Sequence, residues 1–124
     1  MLSDLYDRAS GERLSSFQIP RAQDGQYCSA HLFSPLPNRS DRLVSSWYNG
    51  GVTVVDFTDP ANPTEVAYYD PAPRTMGEAG LWAAYPYKGY VYSNGLRRGF
   101  DSYFIPEARG GGKMLTHLNP QTQE

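Results

Sequence analysis

One cysteine and two histidines are the residues of this sequence best suited to metal or nucleophilic chemistry. Cys28 and His31 are three positions apart, and His117 lies near the C-terminus. A thiolate and an imidazole can share a soft metal ion, but a structural zinc site needs four ligands, so carboxylates would have to complete it. The same pair could act as a nucleophile and its base. The alternative is structural, with a buried cysteine and a histidine that is hydrogen-bonded at the end of a strand.

Aromatic residues form a second candidate site. The chain has ten tyrosines and two tryptophans. One cluster consists of Trp82, Tyr85, Tyr87, Tyr90 and Tyr92. Aromatic rings with a polar group favour contacts with sugars or with a protein partner. The alternative is that the rings fill the space between neighbouring sheets.

Two adjacent arginines follow this aromatic cluster. Arg97 and Arg98 could bind a carboxylate or a phosphate and so extend the candidate interaction surface. The alternative is that both are solvated residues of a turn.

Composition limits the classes of partner. The 124 residues carry a net charge of −2, which provides no basic surface for nucleic acid. No apolar run approaches the roughly 18 residues of a membrane span. The first residues lack the pattern of a secretion signal, and a single cysteine excludes an internal disulfide framework. We expect no cofactor, no nucleic-acid partner and no membrane span.

Short apolar stretches bounded by Gly, Pro, Asn or Asp predict an all-β fold. They are rich in Val, Tyr, Phe, Trp and Thr, which is typical of strands. The stretches cover residues 13–19, 29–33, 43–48, 51–57, 65–69, 82–85, 90–93 and 100–105. For residues 3–14, a short helix and a ragged strand are both compatible with the pattern, because Ser10 and Gly11 interrupt it.

Two turns are predicted between these strands. Asn49 and Gly50 separate two apolar stretches, and both tolerate the positive φ values of a type I′ hairpin turn. Asp59, Pro60 and Pro63 follow the next strand, where Asp can accept backbone N–H groups and Pro presets φ. The three strands joined by these turns form an antiparallel meander, to which residues 29–33 can add a fourth strand.

The pattern recurs after 48 residues. With this offset, residues 43–45 fall on residues 91–93, and Gly51 falls on Gly99. A period of about 40–50 residues that holds a four-stranded meander is typical of a β-propeller blade. The alternative is a pair of unrelated hairpins.

Residues 51–67 resemble the LVIVD repeat. In that family a Gly-hydrophobic strand ends in Asp, here Asp56, and continues through an Asp-Pro-x-x-Pro turn, here residues 59–63, into a second strand. The match covers about residues 27–70, with a degenerate second unit over residues 81–105. The resemblance implies a β-propeller, often exported or at the cell surface, and no catalytic residue set.

These observations predict an organisation as well as a fold class. We expect antiparallel four-stranded meanders as β-propeller blades, about two blades of an incomplete propeller. The segments are 1–26 with the last strand of a preceding blade, 27–73 as an LVIVD-type blade, 78–107 as a degenerate terminal blade, and 108–124 as a flexible tail.

The expected function follows from the repeat and from the absence of a closed polar site in the pattern. We expect a non-catalytic module that binds a protein or a glycan, within the C-terminal portion of a longer protein. The alternative is a metal-dependent or cysteine-dependent enzyme that uses Cys28, His31 and His117. Open sheet edges would also favour self-association.

Overall fold

The computed structural model describes residues 3–20, 29–36, 39–70, 80–95 and 99–109. Within these ranges the chain forms nine strands in three antiparallel sheets and one short 3-10 helix. The predicted all-β fold is therefore confirmed.

The first sheet is a hairpin of β1 (Ser3–Tyr6) and β2 (Arg13–Phe17). Of the two alternatives for the N-terminal residues, the strand is the one that forms. The Asp7 carboxylate closes the turn, because it accepts the backbone N–H groups of Ala9 and Ser10 at 3.0 and 2.7 Å.

The second sheet is a four-stranded meander, as predicted. Its strands, in spatial order, are β3 (Ala30–Leu36), β4 (Arg39–Trp47), β5 (Gly51–Asp56) and β6 (Thr64–Tyr69). Between β5 and β6 the Asp59 carboxylate accepts the N–H of Ala61 at 3.0 Å and the side-chain amide of Asn62 at 2.8 Å. The chain thus reverses at Asp59 and Pro60, and Pro63 directly precedes β6.

The β4–β5 hairpin forms where it was predicted, but with a different turn. Trp47 pairs with Gly51 across a loop of three residues, and the positive φ values fall on Asn49 (49°) and Gly51 (71°). The prediction of a type I′ turn at Asn49 and Gly50 is therefore wrong, because Gly50 does not have a positive φ. Gly50 serves close packing instead, since a Cβ there would crowd Ile19 and the Trp47 side chain.

The third sheet contains β7 (Leu81–Tyr87), β8 (Tyr90–Gly95) and β9 (Gly99–Tyr103). Its first turn has two residues, Lys88 and Gly89, both with positive φ (49° and 82°), as a type I′ turn requires. After β9 the chain enters the 3-10 helix Pro106–Ala108. The second unit thus has three described strands, where four were expected.

The second and third sheets share one pairing pattern. Trp47 pairs with Gly51, and 48 residues later Gly95 pairs with Gly99. The first strands, β3 and β7, correspond at an offset of 51, and each has an irregularity at the same place, between Ala30 and Leu32 or between Leu81 and Ala83. The later strands correspond at an offset of 48. The hairpin formed by the first two strands is therefore three residues shorter in the third sheet than in the second.

The second sheet lies between the other two, with a core on each of its faces. On one face Val44 and Val54 pack with Leu81 and Val91 of the third sheet. The opposite face carries a separate cluster, formed by Phe17, Ile19, Trp47 and Val55. Because both faces are covered, β5 is a continuous run of buried residues with no apolar–polar alternation.

Polar contacts also join the second sheet to the first sheet and to the short helix. The Ser15 hydroxyl of the first sheet donates to the Pro60 carbonyl at 2.6 Å. On the other side, Arg42 pairs with Asp56 at 2.8 Å and donates to the Glu107 carbonyl at 3.2 Å. The short helix is thereby held beneath the core between the second and third sheets.

Candidate functional site

The outward side of the third sheet presents aromatic side chains. Alternation along the strands directs Leu81, Ala84 and Val91 towards the second sheet, so their neighbours in sequence point away from it. We call this outward side the aromatic face; its residues are Tyr85, Tyr87, Tyr90, Tyr92, Asn94 and Phe100. Trp82 lies at its inner end, in the irregularity of β7.

The aromatic face contains an open groove of about 540 Å³. Its lining includes Trp82, Tyr85, Tyr87, Tyr92, Asn94 and Phe100. Tyr92 lies in the middle strand, and its ring centre is 5.8 Å from that of Phe100 and 6.4 Å from that of Tyr90. The exposed fractions of Phe100, Tyr90 and Trp82 are 69%, 47% and 41%. Large apolar side chains are therefore accessible side by side on one sheet.

The structure brings together three of the residues singled out as an interaction surface: Trp82, Tyr85 and Tyr87. Arg97 and Arg98 lie outside the described residues. Asn94 and Phe100 were not predicted as part of the surface. They pair across β8 and β9, so the 48-residue offset together with strand alternation could have identified them.

The seam between the second and third sheets is built differently from the aromatic face. Tyr69 and Tyr103 contribute one ring contact there, with centres 4.6 Å apart. The Ser34 hydroxyl donates to the Ala84 carbonyl at 2.9 Å, and the Ser46 hydroxyl donates to the Trp82 carbonyl at 3.1 Å. The interpretation that the clustered tyrosines 85–92 fill the space between sheets is therefore not what the structure shows.

The aromatic face corresponds, position by position, to the side of the second sheet that receives the third. The pairing registers place Tyr92 at the position of Val44, and Phe100 at the position of Val52. In the same way, Tyr85 stands where the second sheet has Ser34, and Asn94 stands where it has Ser46. The face thus keeps hydrogen-bonding groups at the two serine positions and replaces small apolar residues by rings.

His31 is the described member of the candidate metal site. It lies in the irregularity of β3, and its ring centre is 4.2 Å from Trp82 and 5.2 Å from Tyr48. Its Nδ1 is buried and has no hydrogen-bond partner among the described residues. Cys28 and His117 lie outside the described residues. Within the described ranges, no three His, Cys, Asp or Glu side chains are close enough to hold a metal ion.

Carboxylates with lowered pKa values lie on the second sheet and its turns. Hydrogen bonds from Arg39, at 3.1 and 2.6 Å, lower the pKa of Asp41 to about 2. The N–H of Thr58, and then Arg42, lower the pKa of Asp56. Both groups are thus held as anions by local partners, which suits a structural role better than proton transfer.

Comparisons with known proteins give no identification. No family model, no curated protein and no solved structure matches this chain. None of the helical segments within the described ranges has the length and hydrophobicity of a membrane span.

Proposed function

We propose that this chain is a non-catalytic segment of a β-propeller of the LVIVD type, and that it acts as an interaction module for a protein or a glycan. The observation that carries the proposal is the pairing register shared by the second and third sheets, which repeats after 48 residues. Sheets of one design stacked face to face are typical of propeller blades.

The first sheet supports the same arrangement. Its hairpin shifts register between Leu5 and Tyr6, as the β5–β6 hairpin does between Val54 and Val55. Leu5 packs on the core of the second sheet, and Val54 packs on that of the third. In this proposal the hairpin is the outer half of a unit that precedes the second sheet.

The aromatic face supports a binding role. Tyrosine, tryptophan and phenylalanine combine a large contact area with few rotatable bonds, and they dominate the energetics of protein interfaces. The polar groups of the described face include phenol hydroxyls, the Asn94 amide and the hydroxyl of Ser102, which pairs with Tyr92. Such groups orient a bound partner by hydrogen bonds, whereas the carboxylates of lowered pKa lie on the first and second sheets and their turns.

The repeat part of the proposal can be tested on the gene. We expect the coding sequence upstream of Met1 to contain further units in frame, each with a Gly-hydrophobic strand followed by an Asp-Pro turn. A stop codon and a ribosome-binding site directly upstream of Met1 would contradict a longer propeller.

The binding part can be tested by tryptophan fluorescence. Trp82 lines the groove and is 41% exposed, whereas Trp47 is fully buried. We expect the emission of Trp82 to change on titration with oligosaccharides such as cellohexaose, or with increasing concentration of the protein itself. A Trp82→Phe variant should lose the change and retain the Trp47 signal. No change in either titration would contradict the module.

A further inference from the structure

The aromatic face carries no formal charge on any of its defining residues. Tyr85, Tyr87, Tyr90, Tyr92, Asn94 and Phe100 are all neutral side chains. Lys88 belongs to the adjoining turn, where its ammonium group lies 5.4 Å from the centre of the Tyr87 ring, at the rim of the face. A two-fold symmetric contact brings the same surface of two copies together, so charged residues in it meet like charges. A neutral face avoids this repulsion.

The exposed area is large enough for a weak specific interface. Phe104 directly follows β9 and lies beside the face, with its ring centre 5.9 Å from that of Tyr90. Phe100, Phe104, Tyr90 and Trp82 are 69%, 58%, 47% and 41% exposed. With roughly 200 Å² for a whole aromatic side chain, these rings present about 400–500 Å². Pairing of two such faces would bury about 800–1,000 Å² from these rings, in the range of weak, transient protein interfaces.

The aromatic face is equivalent to a side of the second sheet that another sheet covers within the chain. The equivalent side of the second sheet is covered by the third sheet. There, Ser34 and Ser46 donate hydrogen bonds to the carbonyls of the sheet that covers them. Tyr85 and Asn94 occupy the same two positions, so the face places a hydroxyl and an amide where they can donate hydrogen bonds across a contact with a second sheet.

We propose that the aromatic face binds the same face of a second copy of this chain, which gives a two-fold symmetric dimer with two sheets packed face to face. The inference rests on the proposed role of this face as an interaction surface, and it names the partner. A second copy fits better than a glycan, because Phe100 and Phe104 expose apolar rings without a hydroxyl group. Their burial against other rings removes apolar surface from water, as a sheet on the face would.

Sedimentation velocity across the micromolar range tests the dimer. We expect a reversible monomer–dimer equilibrium with a dissociation constant in the micromolar range, as an interface of this size allows. Phe100→Asp and Tyr92→Asp should each weaken dimerisation at least tenfold, because a two-fold axis places each new charge in the interface twice. Tyr6→Asp is the matched control, since Tyr6 is also exposed (58%) but lies on the first sheet; it should leave dimerisation unchanged.

Circular dichroism of each variant shows whether it is folded. If Tyr92→Asp does not fold, Asn94→Asp replaces it, since Asn94 is exposed and lies on the same middle strand. Tyr92 lies in the middle strand, so its effect on association cannot come from a sheet edge. A protein that is monomeric at every concentration overturns the dimer. A dimer that persists in both Asp variants also overturns it and points to pairing of open strand edges.

The outcomes separate this inference from the proposed function. A monomer whose Trp82 still responds to cellohexaose retains the interaction module and overturns the dimer. A dimer with no response to cellohexaose supports the inference and makes the partner a protein. If the protein neither dimerises nor responds to cellohexaose, the dimer and the interaction module are both overturned.

Discussion

Gly51 and Gly99 occupy the same place in two successive hairpins, but only Gly51 is enclosed. Each pairs with the residue four positions before it and has a positive φ, 71° for Gly51 and 89° for Gly99. A Cβ at Gly51 would overlap the Tyr69 carbonyl oxygen, whereas a Cβ at Gly99 meets no described atom within 4 Å. The neighbouring strand β6 causes this difference, and the third sheet has no counterpart of it among the described residues.

We therefore predict unequal effects of alanine at the two glycines. Gly99→Ala should lower the free energy of unfolding by about 1 kcal/mol, the cost of a positive φ for a residue with a Cβ. Gly51→Ala should lower it by about 3 kcal/mol or more, because the backbone of β6 must also move. Urea unfolding of the pair measures this. Equal effects would mean that Tyr69 does not approach Gly51 in solution.

A second prediction concerns the loop between β4 and β5. Asn49 has a φ of 49°, and a β-branched residue is strongly disfavoured in that region. Asn49→Val should lower the thermal unfolding temperature, with a loss of about 1–3 kcal/mol. Asn49→Gly is the control, since glycine adopts positive φ without strain. If both variants unfold at the temperature of the original protein, Asn49 does not have this conformation.

The hydroxyl contacts across the seam lead to a third prediction. Ser34→Ala and Ser46→Ala each remove a donor to a carbonyl of β7, which should lower the unfolding free energy by about 1 kcal/mol. Ser45 is the matched control, because its hydroxyl is buried with no hydrogen-bond partner among the described residues. Ser45→Ala should be neutral or stabilising in denaturant unfolding. The reverse order of effects would place the third sheet differently on the second.

Acid should destabilise the fold through Asp41. Its pKa is about 2 in the folded chain and near 3.8 when unperturbed. A lowered folded-state pKa stabilises the fold above the unfolded-state value, and that contribution is lost as the pH falls from about 4 to about 2.

Asp41→Asn tests this linkage, because the amide cannot ionise. The difference in unfolding free energy between the original protein and the variant should narrow as the pH falls through that window. An NMR titration of the Asp41 carboxyl group gives the folded pKa directly. A constant difference between pH 4 and pH 2 would show that Arg39 does not hold the Asp41 carboxylate.

Local chemistry made much of the fold predictable. The reversal at Asp59 and Pro60 follows from a side chain that accepts nearby N–H groups and a ring that fixes φ. The details that failed depend on contacts from elsewhere in the chain. The role of Gly50 is one of these: it has no positive φ, and it is needed because Ile19 and the Trp47 side chain lie where a Cβ would be.

The candidate site was predictable only in part. Trp82, Tyr85 and Tyr87 are close in sequence, so their clustering was enough to predict them as a group. Phe100 belongs to the surface because β9 pairs with β8 in a particular register. That register is set by the hairpin, and the exposure of the face depends on how the sheets stack, which is a tertiary property.

The two ends of the three-sheet stack differ in chemistry. The aromatic rings are at one end; at the other, Asp4 pairs with Arg13 at 3.1 Å and accepts the Ser16 hydroxyl at 2.6 Å. Since each sheet shows corresponding residues to the next, the stack has a direction, as a filament does. In the proposed propeller, units that precede Met1 would add at the polar end of the stack, and the aromatic end is left for the second copy.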